Sequence, residues 1–178
     1  MKLGSFEVAV LDSSAANDDR AVRKQVSIYT SQLRSLNTHQ AWLVDHHPFW
    51  GIRPGILGAA AGPLSAPLEV AWEKAAPKGI DLVLSGHTHL FEVISFDHGR
   101  PPQIVAGDGG TSLAAALPAS LNGRKIHGLA ITASQTKREF GYTMLSKTGA
   151  GWTLELKAPT GATHVACRIE GSRAICPQ

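Results

Sequence analysis

The sequence predicts an α/β fold whose second half is mostly antiparallel β. Apolar strand-like runs at residues 6–11, 41–44 and 80–84 alternate with helical patterns over the first 90 residues, which argues for helices layered on a sheet. From residue 91 onward, short strand-like runs follow one another between Gly, Pro and Asn turns. Hydrophobic residues make up 43% and charged residues 17% of the 178 residues, which excludes disorder and suffices for one core. Residues 1–90 are thus expected to form the α/β part, and residues 91–178 a β-rich extension of the same core.

The first strand is expected at 6–11, a buried strand ended by Asp12-Ser13-Ser14. Asn17 or Asp18 is placed to cap the helix that follows. In that helix Val22, Val26, Tyr29, Leu33 and Leu36 recur at spacings of four and three, one apolar face of about five turns. The second strand is 41–44. A loop rich in Gly and Pro runs from 46 to 66 and carries Phe49, Trp50 and Arg53; a loop that long is usually functional or mobile. A shorter helix at about 68–76 is stopped by Pro77 and Gly79, and leads into the strand 80–84. Further strands are expected at 91–96, 103–106, 126–132, 141–146, 152–157 and 164–169.

The formal charge of +3 is small and its cations are scattered, so no nucleic-acid-binding patch is expected. No apolar stretch is long enough to span a bilayer. The first residues do not read as a signal peptide, because a lysine and Glu7 interrupt any apolar core. Cys167 and Cys176 fit either a loop-closing disulfide or two thiols of a reducing compartment. The short polar turn Glu170-Gly171-Ser172-Arg173 between them favours the disulfide, and with it a periplasmic or secreted location.

Chemistry concentrates in the histidines. Gly86-His87-Thr88-His89 follows the run at 80–85, and His46-His47-Pro48 follows the run at 41–44. Side chains alternate along extended backbone, so His87 and His89 project the same way. Ligands bind beyond strand ends in layered α/β folds, and three imidazoles can hold a metal ion with a position left for water. His39, His98, His127 and His164 are expected to be structural or surface residues.

The segments Val44-Asp45-His46-His47-Pro48 and Asp81-Leu82-Val83-Leu84-Ser85-Gly86-His87-Thr88-His89 resemble the last two signature motifs of the calcineurin-like metallophosphoesterases, which include the purple acid phosphatases. The resemblance implies two β-sheets packed face to face with helices outside, so that the chain would be the C-terminal part of a four-layer α/β/β/α sandwich. It implies hydrolysis of a phosphoester by two metal ions, iron, zinc or manganese. His46 and His87 would ligate one ion and His89 the other, with His47 a neighbour. Arg53, Trp50 and His47 are the expected substrate-binding residues. Val105-Ala106-Gly107-Asp108-Gly109-Gly110 resembles a glycine-rich strand end that often follows in this family.

The family's earlier motifs, Asp-x-His, Gly-Asp-x-x-Asp and Gly-Asn-His with an acid, do not occur here, and Asp45 replaces a small hydroxyl residue. The chain therefore reads as a C-terminal part. It is expected to contribute to a dinuclear site while being inactive alone, the alternative being a non-catalytic binding or structural remnant.

Overall fold

The computed structural model describes residues 1–3, 6–16, 20–36, 38–55, 60–63, 65–149 and 151–177. In chain order the elements are β1 (Lys2–Leu3), β2 (Phe6–Val10), α1 (Arg23–Ser35), β3 (Ala41–Val44), β4 (Ile52–Pro54), β5 (Ala60–Pro63), α2 (Ala66–Ala75), β6 (Ile80–Ser85), β7 (Phe91–Phe96), β8 (Gln103–Ala106), β9 (Lys125–Ile126), β10 (Leu129–Lys137), β11 (Tyr142–Thr148), β12 (Gly151–Lys157), β13 (Thr163–Glu170) and β14 (Arg173–Ile175). An eight-stranded sheet has the order β1-β2-β3-β6-β8-β7-β10-β9, and a four-stranded sheet the order β11-β12-β13-β14.

Strands β2, β3, β6 and β8 are mutually parallel, as crossover connections require, while β7 and β10 run antiparallel to their neighbours. The helices cover one face of the large sheet. Tyr29 and Leu33 of α1 and Leu68, Ala71 and Trp72 of α2 pack with Leu43, Val83 and Ile94. The small sheet covers part of the other face, where Leu154, Leu156, Val165 and Ile169 meet Leu82, Phe91, Val93 and Ile104. Trp42 and Trp152 meet edge to face at 4.6 Å across that seam. The result is a mixed α/β architecture with two helices and two main sheets among the described residues, consistent with part of a metallophosphoesterase-like sandwich.

Three details differ from the sequence expectation. The strand at 6–11 is only partly buried: Leu11 joins the core and residues 7–9 are half-buried, but Val10 is 74% exposed. The 46–66 loop contains the two-stranded β4–β5 ribbon. The helix α1 starts after Val22 without a side-chain cap, and Asn17 and Asp18 lie outside the described residues. The cysteines do form a disulfide, Cys167–Cys176, between β13 and the end of β14. A loop this short contributes about 2–3 kcal/mol in the chain-entropy picture. No helix among the described residues is long and apolar enough to cross a membrane.

The core also encloses Glu92 of β7, fully buried, whose two carboxylate oxygens each lie 3.1 Å from the Ile52 N–H. Burial pushes this carboxyl up to about 8, against the opposing pull of the Ile52 N–H. A raised carboxyl binds its proton more tightly folded than unfolded, so its contribution is complete below the unfolded value and is lost as pH rises through the folded one. The unfolding free energy from urea titration should therefore fall between pH 5 and pH 8, by up to about 4 kcal/mol from this group. Glu92→Gln should flatten that decline, and an equally steep decline in the variant rules the assignment out.

Candidate metal centre

The four parallel strands deliver four loops to one rim. The chain leaves β2 into Leu11-Asp12-Ser13, β3 into Asp45-His46-His47, β6 into Gly86-His87-Thr88-His89, and β8 into Gly107-Asp108. Backbone bonds lace the loops together. The N–H groups of Leu11, Asp45, Gly86 and Gly107 donate to the carbonyls of Val44 (2.9 Å), Leu84 (3.1 Å), His46 (3.1 Å) and Leu90 (3.2 Å). Gly107 is packed so closely on the carbonyl of Thr88 that no side chain fits there.

Ser13 is the strut under the first histidine pair. Its hydroxyl, fully buried, accepts the N–H groups of both His46 (2.9 Å) and His47 (2.8 Å). Its carbonyl accepts from His47 Nδ1 at 2.7 Å. A carbonyl can only accept, so in the neutral ring the proton sits on Nδ1 and the lone pair on Nε2. Across the rim, His87 adopts a left-handed backbone with φ +65°. Strain of this kind in a non-glycine residue is concentrated at functional sites.

His46, His47 and His87 form one group, with a ligand nitrogen of each within 4.8 Å of the others. His87 Nδ1 and His46 Nε2 are 3.3 Å apart. Two nitrogens each about 2.0–2.1 Å from a tetrahedral ion stand roughly 3.3–3.4 Å apart, so the separation of this pair, here that of a hydrogen bond, also matches two ligands of one ion. The rings of His47 and His87 lie 3.9 Å apart, tilted by 37°. Imidazole sets of this kind suit zinc, iron or manganese.

His89 is exposed and stands outside that group, with Nδ1 3.5 Å from the Thr111 hydroxyl. Its carbonyl accepts the Ala114 N–H at 2.8 Å. It lines a cavity of about 270 Å³ together with His87, Thr88, Arg53, Pro54, Ala114 and Ala115. Arg53 thus reaches the histidine rim. Trp50 and Phe49 do not; both are fully buried against Trp72 in the core beneath α2. Apolar rings in a loop that must close over a helix–sheet layer gain more from burial than from facing water.

Carboxylates near the rim are held in different states. Asp12 is exposed, and bonds from the Ser14 hydroxyl and then the Ser14 N–H hold its carboxyl below the usual range. Asp45 accepts the Ser85 hydroxyl, and burial pushes its carboxyl well up. Burial also raises Asp108. A second His/Glu group, Glu69, Glu73 and His127, lies at the opposite end of the large sheet, the far end of β7. A six-residue strand separates them by about 20 Å, so the two groups cannot hold one dinuclear centre. His98 and His164 pair with Asp97 and Glu139 away from the rim.

Burial could not be read from the histidine motifs, and Ser13 carries no motif at all. Its only signal was a small hydroxyl residue one step past Asp12 at a strand end.

No protein-family model matches the sequence, and no curated protein matches it. Solved structures do match. Over 93% of its length the chain resembles a purple acid phosphatase, PPD1, from yellow lupin (Lupinus luteus) seeds, with TM-score 0.57 and 16% identity. Over 94% of its length it resembles GAP50, described as the anchor in the inner membrane complex of Plasmodium, with TM-score 0.55 and 13% identity. The chain spans 31% and 50% of those two proteins. Identities this low show the fold alone. In fold, the chain therefore bears a distant resemblance to purple-acid-phosphatase-type metallophosphoesterases, without a specific family match.

Proposed function

We propose that this chain supplies one part of a metal-dependent phosphoester-hydrolysing site. The observation that carries the reading is the 3.3 Å separation of His46 Nε2 and His87 Nδ1 at the ends of parallel strands. In this reading His46 and His87 hold one ion, and His89, across the cavity, serves a second. The ions, when bound, would polarise the phosphoryl oxygens and lower the pKa of a bound water. Arg53 on the same cavity offers a permanent positive charge to an anionic substrate. Gly86, by donating to the His46 carbonyl, holds the two histidine loops in register. The remaining ligands, including the bridging carboxylate, would come from residues outside this chain. A periplasmic or extracellular setting is part of the same reading, supported by the Cys167–Cys176 bridge.

A non-catalytic module is the second reading. It is favoured by the make-up of the three-histidine group, which includes no carboxylate among the described residues.

The test uses p-nitrophenyl phosphate as probe. The 178-residue chain should show no turnover above background. A longer chain carrying upstream Asp-x-His and Gly-Asn-His motifs should turn over, and His87→Ala should reduce its kcat/KM by on the order of a thousandfold or more, the scale of a lost electrostatic stabiliser. Turnover unchanged by His87→Ala overturns the hydrolase reading.

A further inference from the structure

We infer that His47 is a third ligand of the ion held by His46 and His87, so that this chain alone presents a complete three-histidine site for one divalent cation. The inference rests on the metal-site reading above and goes beyond it, since the motif resemblance made His47 a neighbour of the ligands and an expected substrate contact, not a ligand.

Three observations support it. First, the backbone turns both rings inward. Beyond Val44 the strand has ended, and the consecutive N–H groups of His46 and His47 converge on the single hydroxyl oxygen of Ser13. A curled backbone does not obey the alternation of a strand, so neighbouring side chains need not point to opposite faces. The His46 and His47 rings accordingly stand 4.8 Å apart, and both approach His87.

Second, His47 is held as a ligand is held. Its Nδ1–H is fixed by the Ser13 carbonyl at 2.7 Å, and the ring is 5% exposed. Metal-binding histidines almost always donate their other ring N–H to a carbonyl or carboxylate, which sets the tautomer and aims the ligating nitrogen. With Nδ1 occupied by the Ser13 carbonyl, Nε2 is the nitrogen left to serve as ligand.

Third, the donor set is chemically whole. Three neutral imidazoles with a fourth position for water form a recognised zinc coordination set. His89 stands outside the group and is not needed for it.

Cobalt(II), whose visible absorption reports coordination number, serves as the probe, with zinc(II) as competitor. The whole chain should bind one Co²⁺ with the intense visible bands of a four-coordinate site. His47→Asn keeps an N–H donor where Nδ1 was, preserving the bond to Ser13, but removes Nε2. It should fold as the wild type does by circular dichroism, yet lose Co²⁺ affinity by at least about tenfold and lose band intensity. His98→Ala, paired with Asp97 away from the rim, should leave both unchanged. Wild-type affinity in a folded His47→Asn variant, alongside lost binding in His46→Ala and His87→Ala, overturns this inference and leaves the metal-site reading standing. Failure of the wild-type chain to bind Co²⁺ at all overturns this inference, while the metal-site reading, whose remaining ligands lie outside this chain, is decided separately by the His87→Ala assay on the longer chain. Should His47→Asn fail to fold, ¹⁵N spectra of the wild-type histidines decide: Zn²⁺ must move the His47 Nε2 resonance, and an unmoved resonance overturns the inference.

Discussion

Gly107→Ala is expected to destabilise the histidine rim strongly. The new Cβ would overlap the carbonyl oxygen of Thr88 and stand 2.7 Å from its carbon and 3.4 Å from His89 Cα. All three are backbone atoms, so no side chain can rotate away. Relief requires the 86–89 loop to move, and that loop also carries His87 in a left-handed conformation that tolerates little adjustment. The expected cost is about 3 kcal/mol, the upper range for forced overpacking, with a matching loss of metal affinity. Gly110→Ala is the control, because nothing lies within 4 Å of its Cβ position. Equal urea midpoints for the two variants would show that the contact is not what holds the loop.

Arg100→Met is expected to cost about 3–5 kcal/mol, the range found when one partner of a buried ion pair is removed. The guanidinium is 4% exposed, 3.4 Å from Glu69 and 3.6 Å from Glu73. It stacks on Trp50 and Phe96 at 5.2 and 5.3 Å, and donates to the Ile126 carbonyl at 3.3 Å. Glu69 is almost wholly buried and already pushed up to about 7 by burial, with Arg100 pulling it down. Without Arg100 it loses its strongest cationic partner, keeping only the His127 ring at 2.9 Å. The loss should shrink at pH 5, where Glu69 takes a proton instead. The double variant Arg100→Met/Glu69→Met should recover most of the stability, since apolar groups of similar size often replace a buried pair at little cost. A double variant no better than the single one would show that packing on Trp50, not charge, is what Arg100 supplies.

Which parts of this were legible in the sequence follows from how local each signal is. The strands Ala41–Val44, Phe91–Phe96 and Gln103–Ala106 fall where the apolar runs put them, because such runs between turn residues have few other solutions. The histidine motifs were visible for the same reason. The β4–β5 ribbon was hidden by its glycines and prolines, which composition reads as loop. Strand β14 was missed because three residues after a turn carry no period, and its place is fixed from outside, by the Ala174 N–H donating to the Ser95 hydroxyl. The Arg100–Glu69 pair was invisible because its members are 31 residues apart and neither sits in a motif. His47 was legible as a residue, while the ligand role inferred for it was not, since its orientation depends on a serine 34 positions earlier.

The parallel order β2-β3-β6-β8 has a consequence for the time course of folding. Neighbouring strands in this row are never joined by a hairpin; each pairing closes a long excursion through a helix, a ribbon or β7. Contacts between residues distant in sequence form slowly, because loop entropy is lost before the pairing returns any energy. The rim where Ser13, His46 and His87 meet exists only after two such closures, β2 on β3 and β3 on β6. Ligand nitrogens from separate loops cannot come together in a half-formed sheet, so the histidine rim becomes a reporter of the last stage of assembly, and an ion captured there acts on the rate of opening and not on the rate of collapse.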